Sequence, residues 1–92
     1  MILSFRHKGL KRFYEKGDRS RSPAELVERI RDILTALDTA DSLETIDRPS
    51  FRLHPLKGTR SGEWAVTVRA NWRIVFRFEV PNVVDVNLED YH

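Results

Sequence analysis

Residues 64–78 read Trp64-Ala65-Val66-Thr67-Val68-Arg69-Ala70-Asn71-Trp72-Arg73-Ile74-Val75-Phe76-Arg77-Phe78, two runs with an apolar residue at every second position, separated by a polar break. In an extended chain successive side chains point to opposite faces, so each run buries one face and leaves the other to solvent. The stretch predicts a half-buried β-hairpin. Pairing Val68 with Trp72 keeps the apolar faces together, since a slip of one residue would turn a whole face outward. It leaves Arg69-Ala70-Asn71 as a three-residue loop with Asn71, which tolerates positive φ, at the left-handed position, and sets Thr67 opposite Arg73.

The same period extends to both sides. Phe51 and Leu53 alternate with Arg52 and His54, and Val84, Val86 and Leu88 alternate with Asp85, Asn87 and Glu89. Four strands with one apolar face each predict an antiparallel sheet covered by helices on one side. Setting Phe78 opposite Val84 leaves a five-residue loop around Val80-Pro81-Asn82, with Arg77 near Asp85 and Arg73 near Glu89. Upstream the period changes to 3.6. Leu26, Ile30, Ile33 and Leu37 form one stripe, widened by Val27 and Leu34, and Ser22-Pro23-Ala24-Glu25 reads as its capped start, with proline at the first helical position. Lys8 to Lys16 places Leu10, Phe13 and Tyr14 at helical spacing before Gly17 ends it, and Ile2 to Phe5 reads as an opening strand. The acidic run Asp38 to Asp47 reads as a loop with one turn around Leu43 and Ile46. The expected fold class is α+β in one domain over residues 1–92: an N-terminal strand and two helices packed on one face of an antiparallel sheet.

With 40% hydrophobic and 33% charged residues the composition is that of a globular protein. The absence of cysteine removes disulfides, thiolate nucleophiles and thiolate metal sites. Residues 1 to 5 run straight into charge, and no apolar stretch approaches the roughly 20 residues that span a bilayer, so neither a secretory signal nor a membrane partner is expected; a cytoplasmic location fits these features without following from them. The net charge of +2 conceals segregation: residues 1–31 carry nine Lys/Arg against four acids, and 48–77 seven against one, while 32–47 and 78–92 hold nine acids and no Lys or Arg. Basic patches of this kind suit a polyanion partner.

The face of the sheet away from the helices is expected to collect Arg52, His54, Thr67, Arg73, Arg77 and Tyr91, with Lys57 and His92 just past strand ends. Taken singly, each has a structural use: cross-strand ion pairs for the arginines, a turn for His54 before Pro55, a frayed end for Asp90-Tyr91-His92. Together they supply what cleavage of RNA by its own 2′-hydroxyl needs: a base for that hydroxyl, an acid for the leaving 5′-oxygen, and cations around the phosphate. Histidine can perform either proton transfer near neutrality, arginine and lysine stabilise phosphoryl charge, and tyrosine stacks on a base or donates a proton. A divalent metal is disfavoured, because His54, Asp90 and His92 lie among cations. No Gly-rich phosphate loop, HExxH or Gly-x-Ser-x-Gly is present.

The opening Ile-x-Ser-Phe-Arg-His-Lys-Gly-Leu-Lys, Ile2 to Lys11, resembles that of the HigB-type toxins within the RelE superfamily. So do Phe51-Arg52-Leu53-His54-Pro55-Leu56-Lys57-Gly58, Trp64 with the Val66 to Val68 strand, Asn71-Trp72-Arg73, and the terminal Asp90-Tyr91-His92. The resemblance spans nearly the whole chain and is weakest in the connection near residues 17–21 and in the acidic loop. It implies a RelE-like fold and a type II toxin-antitoxin toxin, an mRNA interferase that cuts messenger RNA in the ribosomal A site. It also implies a helix-turn-helix, HigA-like antitoxin, and contact with operator DNA only through that antitoxin.

Carried over by position, the family's active site corresponds to His54, Lys57, Arg73, Asp90, Tyr91 and His92, none of them substituted. His92 and His54 would exchange protons, Asp90 would orient an imidazole or act as base, Lys57 and Arg73 would hold the scissile phosphate, and Tyr91 would orient the nucleotide. Lys8, Lys11, Arg12, Arg52 and Arg69 are the candidate RNA contacts outside this set, to mRNA or ribosomal RNA; no metal and no cofactor is expected. Relatives with this fold that lack the RNase residues act on other targets such as DNA gyrase, a role that the retained His54, Tyr91 and His92 oppose. The basic first helix leaves open a corepressor role on DNA beside the antitoxin.

Overall fold

The computed structural model describes residues 1–18, 20 and 24–90. Helix α1, Lys8–Lys16, begins where His7 Nδ1 accepts the Leu10 N–H at 3.0 Å and ends where Gly17, at φ 68°, donates its N–H to the Phe13 carbonyl at 2.8 Å. Its bounds are those expected. A 3₁₀ turn at Ala24–Leu26 leads into α2, Val27–Thr39. The Ser22-Pro23 part of the expected cap lies outside the described residues, whereas the stripe Leu26, Val27, Ile30, Ile33, Leu34 and Leu37 is buried throughout. Helix α2 continues to Thr39, so Asp38 belongs to it and not to the acidic loop. Asp38 Oδ1 accepts from the Tyr14 hydroxyl at 2.6 Å and from the Ile2 N–H at 3.2 Å, tying the N-terminal segment and both helices together. The remaining acidic stretch forms one 3₁₀ turn, Leu43–Thr45, that buries Ile46.

Four antiparallel strands follow in the order β1-β2-β3-β4: His54–Pro55, Glu63–Arg69, Trp72–Glu79 and Asn82–Asp90. Val66, Val68, Ile74, Phe76, Val83, Val86 and Leu88 face the helices and with their apolar stripes make the core. Strand β1 is shorter than the expected Phe51–His54. Arg52 takes φ 51°, which breaks the alternation and leaves pairing only at His54↔Ala65 and Pro55↔Trp64. Phe51 stays buried and its carbonyl accepts the Thr67 N–H at 2.8 Å.

Both hairpins are tighter than expected, each absorbing a residue in a bulge. In the first, Thr67 faces Arg73 as expected, but Arg69 pairs with Trp72 across a two-residue loop, and the positive φ falls on Ala70, 53°, instead of Asn71. The register shift lies at Val68. The carbonyls of Thr67 and Val68 accept from Arg29 of α2 at 3.1 and 3.0 Å, so a helix side chain satisfies the irregular backbone. In the second, Glu79 pairs with Asn82, Arg77 with Val84, and Val75 with Asn87; Asp85, at φ 57°, is the extra residue. Arg77 therefore faces Val84 and not Asp85, and Val83 replaces Val84 in the core. Arg73 faces Glu89 as expected.

Ile2–Phe5 is not a strand. It runs beside β4 in parallel and touches it through two isolated bridges, Ile2↔Val83 and Phe5↔Val86, on either side of the Asp85 bulge. There the Ser4 hydroxyl accepts the Asp85 N–H at 2.9 Å in place of a ladder bond.

Candidate active site

The outer face of the sheet is less open than alternation alone implies. Ala65 and Val75, at its centre, are fully buried, and Glu63 is 6% exposed. Arg60, on the 3₁₀ turn Gly58–Arg60 that follows β1, spans this face between β2 and β4. Its guanidinium donates to Glu63 on β2 at 3.0 and 3.2 Å and to Glu89 on β4 at 2.8 and 2.5 Å. In the observed register the midpoint between those two carboxylates lies over Val75. Arg73 Nη2 donates to Glu89 Oε1 at 3.1 Å, and Arg6 reaches Glu63 at 3.7 Å. The Arg60 hydrogen bonds hold both carboxyls below the usual glutamate range, against the opposing effect of burial.

Around this network the expected site residues take distinct places. His54 stands on the edge strand in the row of Ala65, and its Nδ1 lies 2.7 Å from the Arg52 carbonyl. A carbonyl only accepts, so Nδ1 carries the proton and Nε2 is left as the basic nitrogen of the neutral ring. Arg73 lies two strands away and one pleat nearer the β2–β3 hairpin, in the row Thr67-Arg73-Glu89. With strands about 4.8 Å apart, its backbone is roughly 10 Å or more from that of His54, a gap that a phosphodiester and its flanking groups can fill. Lys57 is exposed and lies beyond Leu56, which pairs with Glu63, so it approaches from the opposite end to the hairpin. Asp90 closes β4 opposite Trp72, on the other parity of the strand, and its carboxylate accepts from the Asn71 side-chain amide at the hairpin. Tyr91 and His92 lie outside the described residues.

The five candidate RNA contacts divide between two sides of the molecule. Arg52 and Arg69 are exposed beside β1 and at the β2–β3 hairpin, at the Arg73 end of the sheet. Lys8, Lys11 and Arg12 are exposed on α1, whose Leu10 and Phe13 enter the core from the helix side, and Arg12 is paired with Asp18 at 3.1 Å. Sequence reasoning missed Arg60, Glu63 and Arg6. One signal was available: Glu63 is the single acid among seven basic residues in 48–77, the pattern of a carboxylate enclosed by cations. Among the described residues no three His, Asp or Glu side chains converge as a metal site, and no helix is long and apolar enough to cross a membrane.

Two helices packed on a four-stranded antiparallel sheet, with cations gathered on the free face, define the RelE-like toxin fold. The YoeB/ParE toxin from Agrobacterium tumefaciens superposes with a TM-score of 0.63 at 22% identity, over 100% of this chain and 99% of that one. The chain belongs to the HigB family: the profile described as "RelE-like toxin of type II toxin-antitoxin system HigB" matches residues 3–92. A protein named Endoribonuclease HigB, from Proteus vulgaris, is 53% identical over 92 residues, covering 100% of both chains. Membership of a type II toxin-antitoxin family implies an antitoxin partner.

Proposed function

We propose that this protein is an endoribonuclease that cleaves mRNA in the ribosomal A site through the RNA's own 2′-hydroxyl, without a metal ion. The observation that carries the activity is its 53% identity, over the full length of both chains, to an endoribonuclease of the same family. The geometry supports the chemistry: with Nδ1 held by the Arg52 carbonyl, His54 offers Nε2 for proton transfer, and Arg73 presents a guanidinium on the same face. In the reaction the 2′-oxygen bonds to phosphorus and gives up its proton, and the bond to the 5′-oxygen breaks as that oxygen takes one up. His54 and His92 exchange these protons, Asp90 orients an imidazole or acts as base, Lys57 and Arg73 hold the phosphate, and Tyr91 orients the nucleotide. Lys8, Lys11, Arg12, Arg52 and Arg69 contact mRNA or ribosomal RNA.

The protein acts in the cytoplasm, restrained by a helix-turn-helix, HigA-like antitoxin through which alone it meets operator DNA. Its acidic stretches 32–47 and 78–92 complement a basic partner and leave the basic stretches for RNA. The test is cleavage on purified translating ribosomes after brief chelator treatment of the toxin. The expected products are a 2′,3′-cyclic phosphate, or the 3′-phosphate it hydrolyses to, and a 5′-hydroxyl. His54→Ala and His92→Ala are each expected to lose about 10²- to 10⁴-fold in rate while remaining folded. A 5′-phosphate product, or activity that returns only with added transition metal, refutes the mechanism.

A further inference from the structure

The roles above leave Arg60 unused, although its guanidinium bonds two carboxylates on the outer face. It forms two parallel hydrogen bonds with the carboxylate of Glu89, at 2.8 and 2.5 Å, and two more with Glu63. Glu89 Oε1 also accepts from Arg73 at 3.1 Å. One carboxylate is thus shared by two guanidiniums, in surroundings that leave the Arg73 and Glu89 side chains 15% and 19% exposed.

The sharing bears directly on the phosphate. A carboxylate hydrogen-bonded to Arg73 offsets the charge of that arginine and, on a partly desolvated face, repels an incoming phosphodiester. Arg60 makes the tighter, forked contact with Glu89, the geometry in which a guanidinium binds a carboxylate most strongly. With Arg6 beside Glu63, the connected Arg6, Arg60 and Arg73 outnumber Glu63 and Glu89 by one, and the network keeps one net positive charge. Glu63, 8% exposed at its side chain, holds Arg60 in place from the other side.

We propose that Arg60 is a positioning residue for RNA cleavage: by neutralising Glu89 it keeps the surroundings of Arg73 net positive, so that the scissile phosphate can bind there. This rests on the reading of Arg73 as a phosphate-binding residue. The alternative is that Arg60 only braces the fold, in which case any recovery of cleavage on neutralising Glu89 is matched by a recovered denaturant midpoint. The two differ in whether cleavage recovers beyond stability.

The experiment compares cleavage on translating ribosomes by the full chain carrying Arg60→Gln with Glu63→Gln and by the same chain also carrying Glu89→Gln. Glu63→Gln is included so that no buried carboxylate is stranded when Arg60 is removed. The double variant is expected to cleave about 10- to 100-fold more slowly, the worth of one charge-assisted contact. The triple variant is expected to recover most of that loss, beyond any recovery of its denaturant midpoint. A folded triple variant no faster than the double, a recovery matched by the denaturant midpoint, or a double variant as fast as the unsubstituted chain, overturns the proposal. Should the double variant fail to fold, Arg60→Lys replaces it, since lysine keeps the charge without the fork. Cleavage within a few-fold of the unsubstituted chain is then expected, and a loss as large as that of Arg73→Ala overturns the proposal. Controls separate the two possible failures: no cleavage by the unsubstituted chain sinks the endoribonuclease reading and the proposal with it, whereas a failed rescue beside an active chain and a crippled Arg73→Ala sinks the proposal alone.

Discussion

His7 shows how one side chain can couple local structure to pH. Its Nδ1 accepts the Leu10 N–H, a task open only to an unprotonated nitrogen, and burial pushes its pKa below the ordinary 6.5. In the window below 6.5 the unfolded chain therefore takes up a proton that the folded one resists. The unfolded state binds more protons there, so stability rises with pH across the window and falls as the solution is acidified through it. Glu63 and Glu89 are held below their ordinary 4.5 by Arg60, so their contribution is lost only at lower pH, as they protonate. Urea unfolding between pH 7 and pH 5 is expected to show a decline in stability that His7→Asn, which caps without titrating, flattens. An unchanged slope in that variant would assign the decline to other groups.

At the scale of elements, Arg29 joins helix α2 to the irregular end of β2. Its guanidinium donates to the carbonyls of Thr67, Val68 and Ser50 and lies 5.1 Å from the centre of the Phe51 ring. Three carbonyls that depend on one cation lose their partner together when it is removed. Arg29→Ala is expected to cost about 2 kcal/mol or more, and Arg29→Lys to recover little, because an ammonium lacks the planar fork that reaches several acceptors at once. Denaturant midpoints measure both. The same region shows which features the sequence carried and which it did not. Helix α1, the stripe of α2 and the pairs Thr67↔Arg73 and Arg73↔Glu89 were legible, because period, caps and a buried face all act over neighbouring residues. The phase of the first part of β4 was not: Asp85 at φ 57° adds one residue, so the alternation that turns Val86 and Leu88 inward fails before the bulge, where Val83 is buried in place of Val84. Positive φ at Arg52 and at Ala70, the latter in the two-residue β2–β3 loop, falls on residues that do not favour it, so residue type carried no signal of either. In the site, His54 and Arg73 were legible as outward positions of alternating strands. Arg60 was not, since it lies on a turn and gains its place only when Glu63 and Glu89, 26 residues apart, are brought across one sheet.

On the whole molecule the cations form two groups with different relations to the site. Arg52 and Arg69 flank the end of the sheet that carries Arg73, whereas Lys8 and Lys11 project from α1 on the helix side. If both groups contact RNA, ribosome binding falls steeply with salt, because every phosphate neutralised by Lys or Arg releases condensed counterions. A plot of log affinity against log salt should be linear, and removing one phosphate contact should reduce its slope by roughly 0.7 for single-stranded RNA. Lys8→Ala with Lys11→Ala, remote from the scissile phosphate, is expected to weaken binding and flatten the slope while leaving the rate on saturated ribosomes nearly intact. Arg52→Ala with Arg69→Ala should flatten the slope and also slow cleavage at saturation, because these side chains lie where the RNA must be held for His54 and Arg73 to act on it. Binding measured by sedimentation across a salt series, with single-turnover cleavage at saturating ribosomes, tests both parts. Affinity that does not change between low and high salt would remove the polyanion reading of the basic patches. Equal effects of the two pairs on the saturated rate would remove the distinction between the sheet face and the helix face.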